Sequence, residues 1–498
     1  MTDTELLVVG AGSAGLGAAF AARVAGRRVM LVEADKPGGD CTYYGCVPSK
    51  ALIEIAKRVA HARDGAGRGY RAQVDVDFAG VLARVQAVVA EVALDESPDL
   101  LAERGIELRI GQARFTGPGA VEVDGTPVDA DRIVLATGAA AAVPPIPGLD
   151  TVPYLTNRTI FSLTEQPAHL VVLGGGAIGC ELAQAFRRLG SAVTVVEALP
   201  RLLANEDPAA SAVVHAALAD DGVTVRTGAP VTAVATTPAG PALTVGETTV
   251  TGTHLLVATG RRPNTADLGL DAAGIATAKG GFITTDDYLR TDDPATFGVG
   301  DCVSRLQFTH VAYAQGRLAA GNAFASRFRP GIAGGRARWD DRVVPRVTFT
   351  DPEVASVGLT EAAAYERWGE RARVAVVPDT HSDRARCAGE TAGFVKLIAA
   401  PTGVVKASAL DRLVGAVVVG PRAGEVIAEA ALAMRANLIV GRIAQTVHAY
   451  PSWSMSMQYA AAMFYGATGQ HARPARADPA EDAAAAAARV TTAGRASA

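Results

Sequence analysis

The sequence predicts an α/β protein of three parts: two similar βαβ units with parallel sheets, followed by an α+β segment. Three observations predict this fold class. A glycine-rich turn between a short apolar strand and a helix occurs twice. Each turn is followed, later in the chain, by an apolar strand that runs into Ala-Thr-Gly. Beyond residue 335, strand-like and helix-like stretches continue without such a turn. The length of 498 residues also fits about three domains.

Composition excludes several classes of protein. Hydrophobic residues make up 49% of the chain and charged residues 20%, which excludes an intrinsically disordered protein. The 47 Lys and Arg residues are balanced by 51 Asp and Glu, so no basic excess exists to hold a nucleic acid. The acidic N-terminus is unlike a secretion signal, and no apolar run is long enough to cross a membrane. We therefore expect a cytoplasmic protein with no nucleic-acid or membrane partner.

The first βαβ unit opens the chain. Strands are predicted at residues 6–9 and 28–32, a helix at 16–25, and the second strand ends at Glu33. Glycines in the turn permit close approach of a pyrophosphate, the helix N-terminus attracts its charge, and Glu33 can bond ribose hydroxyls. The pattern therefore predicts a dinucleotide site. Its turn residues are Gly10, Gly12, Ser13, Ala14 and Gly15.

A second βαβ unit repeats the pattern. Strands at residues 170–173 and 192–196 flank a helix at 180–189, and Glu197 ends the second strand. Two units predict two dinucleotides. Glu197 favours NADH over NADPH because a carboxylate bonds a ribose 2′-OH and repels a 2′-phosphate, although nearby Arg201 could soften that preference. The residues of the second turn are Gly174, Gly176, Ile178 and Gly179. The later apolar strand of the first unit is followed by Thr137 and Gly138, and that of the second unit by Thr259 and Gly260.

The segment of residues 38–50 carries two cysteines in a redox-type arrangement. Cys41 and Cys46 are separated by four residues. Pro48 suits the first turn of a helix, so Cys46 is expected near a helix N-terminus, which favours its thiolate. Lys50 follows one turn later on the same face. We predict a dithiol–disulfide couple, with a metal site or two inert thiols as the alternatives.

A third domain is predicted beyond a Gly- and Arg-rich linker at residues 331–338. Residues 344–350 and 394–399 are typical of strands, and 425–435 of a helix with an apolar face. Residues 471–498 are rich in Ala, Arg, Thr and Pro and contain few large apolar side chains. We predict that this tail is disordered or marginally helical, with no core to join.

Further motifs complete the pattern. They are Pro-Ile-Pro-Gly at 145–148, Gly-Arg-Arg-Pro-Asn at 260–264, Gly-Val-Gly-Asp at 298–301, Thr-His-Val-Ala at 309–312 and Val-Thr-Phe-Thr-Asp-Pro-Glu at 347–353. With the cysteine segment, they make residues 5–468 resemble the class I pyridine nucleotide–disulfide oxidoreductases. That family includes glutathione reductase, dihydrolipoyl dehydrogenase and mercuric reductase, and the core of mercuric reductase is the most similar.

The resemblance implies cofactors and a division into domains. Residues 1–148 and 280–335 would bind FAD, and residues 149–279 would bind NAD(H), with NADP(H) as the alternative. Residues 336–470 would pair two copies into a homodimer, in which each active site borrows residues from the partner's C-terminal region. To the cofactor-binding residues the resemblance adds Gly38, Gly39, Cys41, Lys50, Glu181, Gly260, Arg261, Asp301, Val311 and Ala312.

The resemblance also implies roles. Asp301 would meet the flavin ribityl chain, and Lys50 would pair with Glu181 near flavin N5. Electrons would pass from the nicotinamide through FAD to a Cys41–Cys46 disulfide. Cys46 would be the thiol that contacts the flavin, and Cys41 the thiol that meets the substrate. The other three cysteines are interpreted as packed or loop residues, and no resident metal site is predicted.

The identity of the electron acceptor is inferred from the positions at which this chain departs from the family pattern. Members that reduce disulfides usually carry His-x-His-Pro-Thr with a Glu four residues after the Pro, whereas this chain has Tyr450 at the second His and Met455 at the Glu. A phenol with a pKa of about 10 is a poor acid–base near neutral pH, and His448 is the alternative. Mercuric reductases are similar in having Tyr here and a Tyr matching Tyr154, but their C-terminal cysteine pair is missing from this chain.

We therefore predict a flavoenzyme that passes electrons from NADH through the dithiol to a mercuric-type metal ion or a small-molecule acceptor. A reductase of low-molecular-weight disulfides, of the dihydrolipoyl, glutathione or mycothione type, is the first alternative. A quinone reductase, or a redox sensor that does not turn over, is the second.

Overall fold

The computed structural model describes residues 4–65, 68–325, 335–401, 410–466 and 471–479. The part up to the second glycine turn contains β1 (Thr4–Val9), α1 (Ser13–Val24), β2 (Val29–Glu33), α2 (Gly39–Tyr44), α3 (Cys46–Arg63), α4 (Phe78–Ala93), α5 (Pro98–Glu103), β3 (Ile106–Ile110), β4 (Ala113–Gly117), β5 (Ala120–Val123), β6 (Thr126–Val128), β7 (Ala130–Leu135) and β8 (Ala139–Ala141).

The middle of the chain contains β9 (His169–Leu173), α6 (Ala177–Leu189), β10 (Ala192–Val196), α7 (Pro208–Asp220), β11 (Thr224–Arg226), β12 (Val231–Thr237), β13 (Gly240–Val245), β14 (Thr248–Thr251), β15 (His254–Val257), β16 (Arg261–Pro263), β17 (Thr296–Gly298) and α8 (Thr309–Ala323). The last part contains β18 (Arg346–Thr348), β19 (Glu353–Gly358), α9 (Glu361–Trp368), β20 (Arg373–Pro378), α10 (Asp383–Ala388), β21 (Phe394–Ala400), β22 (Arg412–Gly420), α11 (Ala423–Arg435), α12 (Val440–Gln445), α13 (Met455–Met463) and β23 (Arg473–Pro474).

The first parallel sheet holds the first glycine turn and has the strand order β17-β7-β1-β2-β3. Leu6 of β1 pairs with Val29 on one side and with Arg132 on the other, so β1 is a central strand. Such strands read as short apolar runs because both faces are covered. Helices α1 and α8 pack against each other beside this sheet. The chain leaves the sheet after β7 and returns to it with β17.

The second parallel sheet has the order β11-β10-β9-β15 and holds the second glycine turn. The predicted strand, helix and strand around that turn are confirmed, with α6 beginning at Ala177, three residues earlier than predicted. A small antiparallel sheet, β12-β13-β14, is inserted before β15. The predicted strand before Thr259-Gly260 is β15, which lies parallel to β9.

The C-terminal part is an antiparallel sheet of six strands in the order β18-β19-β22-β21-β20-β23. Helices α11 and α13 pack against it. The strand predicted at 344–350 is shorter, at Arg346–Thr348, and the helix predicted at 425–435 begins at Ala423. The predicted class, two parallel-sheet units followed by an α+β domain, is confirmed.

The prediction that residues 471–498 have no core to join is wrong for their first part. Arg473 and Pro474 form β23 and pair with β20. Ala475 is buried in a small apolar cluster, and the Arg473 guanidinium forms an ion pair with Glu361. A strand of two residues carries no period from which it could be predicted.

Some predictions fall outside the described residues. These are the linker residues 331–334 and the tail beyond residue 479. None of the described helices combines the length and the hydropathy that crossing a bilayer requires.

Candidate active site

A cavity of about 1020 Å³ runs along the carboxyl ends of both parallel sheets. Ligands of such sheets bind at this edge, because helix N-termini and backbone N–H groups meet there. Its wall also includes Val347 and Phe349 of the C-terminal domain. The predicted residues in its lining are Gly12, Ser13, Ala14, Gly38, Cys41, Cys46, Lys50, Gly138, Gly174, Gly176, Ile178, Glu181, Glu197, Thr259, Gly260, Arg261, Asp301 and Ala312.

Gly10, Gly15 and Gly179 lie behind this lining and support it, and Gly174 forms part of the lining. Gly10, at φ +103°, and Gly174, at φ +113°, make the tight turns. A residue with a side chain would be strained at these positive φ values. A Cβ at Gly15 would come 1.8 Å from the Gly10 carbonyl oxygen, and one at Gly179 would come 2.0 Å from that of Gly174. These glycines therefore let each helix pack closely on its strand. The other predicted residues behind the lining are Glu33, Gly39, Thr137 and Val311.

Gly12 and Gly176, in the middle of the two turns, open into the cavity instead. A Cβ at Gly176 would have no described atom within 4 Å, and one at Gly12 would be 4.0 Å from the Gly39 Cα. Packing against the protein does not require glycine at these positions, whereas room for a pyrophosphate at the helix N-terminus does. The residues of both turns therefore fit a bound dinucleotide.

The two acidic residues hold their own turns in the same way. Glu33 Oε2 accepts a hydrogen bond of 2.6 Å from the Ala11 N–H, and Glu197 Oε2 accepts one of 2.6 Å from the Gly175 N–H. Both carboxylates are thereby fixed at the end of the second strand, next to the place where a ribose would lie. The two units repeat one another in side-chain geometry as well as in sequence.

Cys41 of α2 and Cys46, the first residue of α3, meet at the hydroxyl of Thr309. Thr309 Oγ1 lies 3.2 Å from each sulfur, and Thr309 is the first residue of α8. Pro48 lies in the first turn of α3, as predicted. The structure thus brings Cys46 to the N-terminus of α3, where the positive end of the helix dipole favours its thiolate.

Cys46 is the more acidic of the two thiols. The hydrogen bond from Cys41 lowers the pKa of Cys46 to about 6; burial opposes the shift, and the Thr309 hydroxyl and the Lys50 ammonium add to it. The same hydrogen bond, together with burial, raises the pKa of Cys41. At neutral pH the reduced pair therefore carries its thiolate on Cys46 and its proton on Cys41.

Lys50 and Glu181 form the predicted pair, with Lys50 Nζ 2.8 Å from Glu181 Oε2. Glu181 is buried, and its other oxygen accepts a hydrogen bond of 2.8 Å from the Phe349 N–H. The Phe349 ring lies 4.6 Å from Lys50 Nζ, which adds a cation–π contact. Lys50 therefore reaches the dithiol from a fixed position on α3.

Arg261 connects Asp301 to the cysteine segment. Its NH2 lies 2.9 Å from Asp40 Oδ2, and its Nε lies 3.5 Å from Asp301 Oδ2. Asn157 Nδ2 donates a further bond of 3.1 Å to Asp40 Oδ1. Burial raises the pKa of Asp301 to about 6, against the opposing charge of Arg261. The predicted contact of Asp301 with a ribityl chain stays a prediction.

His448 lies in a hydrogen-bonded, packed environment. Its Nε2 is 3.0 Å from both carboxylate oxygens of Glu429, and its Nδ1 is 2.9 Å from the Thr446 carbonyl oxygen. With its side chain 6% exposed and both ring nitrogens engaged, it has no nitrogen left for a substrate. It is also not among the described residues that line this chain's cavity, and the acid–base role of His448 stays a prediction.

Tyr450 projects from the surface, with 69% of the residue exposed. Its hydroxyl donates a hydrogen bond of 3.1 Å to Asp383 Oδ2, and this bond raises the pKa of Tyr450. It is not among the described residues that line this chain's cavity, so a role at an active site requires a second copy. Tyr154 packs against the apolar core of the second sheet.

Sequence reasoning missed the roles of Thr309, His310 and Phe349. His310 lines the cavity, its Nε2 lies 2.9 Å from the Pro345 carbonyl oxygen, and burial lowers its pKa. Thr309 and His310 belong to the motif at 309–312, but 263 positions separate Thr309 from Cys46. No local pattern predicts a contact over that distance.

Comparison with known proteins agrees with this geometry. Residues 4–316 match the family model described as pyridine nucleotide-disulphide oxidoreductase, and residues 344–461 match the dimerisation domain of that family. This chain belongs to the pyridine nucleotide-disulphide oxidoreductases. It is therefore an oxidoreductase that depends on FAD and a nicotinamide nucleotide, with a redox-active disulfide and a C-terminal dimerisation domain.

Several relatives are similar over nearly their whole length. Mercuric reductase of Streptomyces lividans is 37% identical over 93% of this chain and 96% of that protein. Dihydrolipoyl dehydrogenase of Thermus scotoductus is 34% identical over 93% of this chain and 97% of its own length. The Cu(II) complex of the HOCl-induced flavoprotein disulfide reductase RclA from Escherichia coli has a TM-score of 0.81 and 29% identity, over 93% of this chain and 99% of RclA.

Proposed function

We propose that this family member passes electrons from NADH through FAD and the Cys41–Cys46 couple to a soft, thiophilic metal ion, in the manner of a mercuric reductase. The observation that carries the proposal is Tyr450. A phenol bonded to Asp383 stands where a disulfide reductase needs an imidazole, and His448 is bonded to Glu429. The mercuric reductase relative and the Cu(II) complex of RclA support a metal-ion acceptor.

The cofactor and the two cysteines would have different roles in the reduction of the ion. Bound FAD would supply two-electron transfer between the nicotinamide and the dithiol. The Cys46 thiolate and, after loss of its proton, the Cys41 thiolate suit a soft ion, because thiolates are its preferred ligands. Reduction of a divalent ion to the metal consumes two electrons, which one NADH supplies. No leaving thiolate has to be protonated, so a poor acid at position 450 is tolerated.

We also propose the arrangement around this site. Residues 1–148 and 280–335 bind FAD, 149–279 bind the nicotinamide nucleotide, and 336–470 pair two copies in the cytoplasm. The exposure of Tyr450 supports a homodimer in which this side chain serves the partner's cavity. In that arrangement Tyr450 orients or weakly binds the incoming ion.

NADH is expected to be preferred to NADPH by at least about tenfold in kcat/KM. Both Glu197 oxygens are fixed, at 2.6 Å from the Gly175 N–H and 2.7 Å from the Leu199 N–H. The Arg201 guanidinium donates to the carbonyls of residues 203, 204 and 206, so its hydrogen bonds are already used within its own loop. Steady-state kinetics with both nucleotides measures the ratio.

The variant Glu197→Gln tests that reasoning. It keeps an acceptor for the Gly175 N–H and removes the charge that repels a 2′-phosphate, so the NADH preference should shrink severalfold. Glu165→Gln, an exposed acid of the same domain, is the matched control and should leave the ratio unchanged. Equal use of both nucleotides by the wild type would contradict the assignment.

Tyr450→Phe is expected to raise the KM for Hg(II) severalfold and to change kcat little, because the phenol orients the ion and transfers no proton. Tyr450→His is expected to bring little gain in the reduction of glutathione or lipoamide disulfides. NADH oxidation by the wild type and both variants, with Hg(II), Cu(II), disulfides and quinones as acceptors, makes the measurement. A loss of about 10²–10⁴ in kcat for a disulfide in Tyr450→Phe, restored in Tyr450→His, would refute the metal-ion proposal.

Reduction of small disulfides is the second candidate, and His310 is the observation that favours it. With Nε2 donating to the Pro345 carbonyl, Nδ1 is the nitrogen left to exchange a proton with a substrate in the cavity. Including His310→Gln in the same acceptor panel separates the two functions. A selective loss of disulfide reduction there would favour this candidate, whereas unchanged acceptor rates would exclude His310 as its acid–base.

A further inference from the structure

Residues 349–351 of the C-terminal domain lie in the groove between two helices of the active site. One is α3, which begins at Cys46 and carries Lys50, and the other is α6, which carries Glu181. The segment connects β18 to β19, so it belongs to neither nucleotide-binding sheet. Its contacts run down one face of each helix.

On the α6 side, three residues hold the backbone and the carboxylate of the segment. Glu181 Oε1 accepts from the Phe349 N–H at 2.8 Å. Gln184 Oε1 accepts from the Asp351 N–H at 2.7 Å, and Gln184 Nε2 donates to the Asp351 carbonyl oxygen at 2.8 Å. Arg188 NH1 lies 2.8 Å from Asp351 Oδ2. Spacings of three and four residues place these side chains on one helical face.

On the α3 side, the segment meets three cationic or basic side chains on one face. The Phe349 ring lies 4.6 Å from Lys50 Nζ. Asp351 Oδ1 lies 3.1 Å from Lys57 Nζ, and Asp351 Oδ2 lies 3.1 Å from His61 Nε2. Although burial opposes it, this surrounding of donors, with Arg188, holds the pKa of the Asp351 carboxyl well below its usual range.

Gln184 is the residue that joins these contacts. It is 4% exposed, and its amide pairs with the Asp351 peptide through two hydrogen bonds, as neighbouring strands do. Its Nε2 also donates to Asp221 Oδ2 at 2.8 Å, so its hydrogen bonds lie wholly inside the protein. Loss of this side chain would free the segment at its centre, between the bond to Glu181 and the ion pairs of Asp351.

We infer that Gln184 is a positioning residue for the dithiol: by pairing with Asp351 it fixes Phe349, and through Phe349 and Glu181 it fixes the Lys50 ammonium beside Cys46. The inference rests on the redox couple proposed above and adds a part played by the C-terminal domain of the same chain. The other charged groups that act on Cys46 are Glu181, from α6, and Asp301. A Lys50 ammonium held in place favours the thiolate, and so favours the reduced form of the couple.

Gln184→Met tests the inference, because methionine keeps the length of the side chain and loses all three hydrogen bonds. The Cys41–Cys46 couple is equilibrated with dithiothreitol buffers, without NADH or acceptor, and its thiols are trapped and counted by mass spectrometry. We expect the reduced form to be disfavoured about tenfold, which is about 30 mV for a two-electron couple. Gln166→Met is the matched control, since that amide bonds Leu189 and Ser191 away from the cavity.

An unchanged potential in folded Gln184→Met would overturn the inference. Should that variant fail to fold, Phe349→Leu replaces it: the N–H bond to Glu181 stays, and the ring over Lys50 is lost. A shift of the potential with the same sign and a smaller size is expected. If the potential of Phe349→Leu does not shift, the inference is likewise overturned. A wild type whose cysteines form no reducible couple would overturn the proposed function as well, so the two failures are distinguishable.

Discussion

Cys46→Ser is expected to abolish turnover, with NADH-dependent reduction of Hg(II) or a disulfide falling at least about 10³-fold. Serine cannot form a disulfide with Cys41, and its hydroxyl is not ionised near neutral pH. The variant should still bind FAD, because the residues proposed to hold it, in the first glycine turn and at Asp301, are untouched. It should also lack the long-wavelength charge-transfer absorbance that we expect the Cys46 thiolate to give with FAD in the reduced wild type.

Cys41→Ser separates the roles of the two cysteines. It too should lose turnover, but the thiolate of Cys46 remains, so the charge-transfer absorbance should be present without any reductant. A serine hydroxyl can still donate a hydrogen bond to Cys46, whereas Cys41→Ala cannot and should raise the pKa of Cys46. Cys387→Ser, which removes an exposed cysteine of α10, is the control and should behave as the wild type.

The same absorbance reports the protonation of Cys46. Since the hydrogen bond from Cys41 lowers the pKa of Cys46 to about 6, the band should be full at pH 7.5 and fade as the pH falls through about 6. Above that value the thiolate persists, so the band should not change up to pH 8. Full activity in either serine variant, or a band unaffected by both, would show that the cysteines are structural.

Much of this site follows from local sequence. The glycine turns, the acids that end each second strand and the helix N-terminus at Cys46 are set by residues within about 25 positions of one another, and each pattern has a physical reason. The pairing of Lys50 with Glu181 spans 131 positions. It was predictable only through resemblance, because a family pattern carries tertiary information that periodicity does not.

What sequence could not supply is contact between segments that lie far apart in the chain. Thr309 reaches the cysteines because α8 packs on α1, and Phe349 reaches Lys50 because the C-terminal sheet docks on α3 and α6. Neither residue type, a threonine or a phenylalanine, identifies a functional residue by its chemistry alone. The strand at Arg473 was missed for another reason. Its composition is that of a loop, and it is a strand only because it pairs with β20.

Lys396→Met is expected to cost about 3–5 kcal/mol of stability, the usual effect of removing one partner from a buried ion pair. Lys396 is fully buried on β21, and its ammonium lies 2.8 Å from Asp207 Oδ2 and 3.3 Å from Glu361 Oε2. Both carboxylates are buried as well. Without the ammonium, Asp207 would lose a charged partner in a region from which water is excluded, and Glu361 would be left to Arg473.

The position of Lys396 gives this loss a functional consequence. Asp207 caps the N-terminus of α7 in the second sheet's domain and accepts from the Ala209 N–H, while Lys396 belongs to the C-terminal sheet. The pair therefore joins the part of the molecule that contains the second parallel sheet to the domain that carries Phe349. We expect Lys396→Met to loosen that junction, and so to lower the urea midpoint of the transition in which these two domains unfold.

The measurement compares urea midpoints and melting temperatures of Lys396→Met with those of the wild type. Arg290→Met is the matched control, since it breaks an exposed pair with Asp286 four residues away, which should cost no more than about 1 kcal/mol. The double variant Lys396→Met with Asp207→Asn should recover part of the loss, because asparagine keeps an acceptor for the Ala209 N–H and leaves no unpaired carboxylate at the start of α7. If Lys396→Met and Arg290→Met have equal effects, the buried ammonium does not hold the domains together. A large loss with partial recovery in the double variant would assign that role to the Lys396–Asp207 pair.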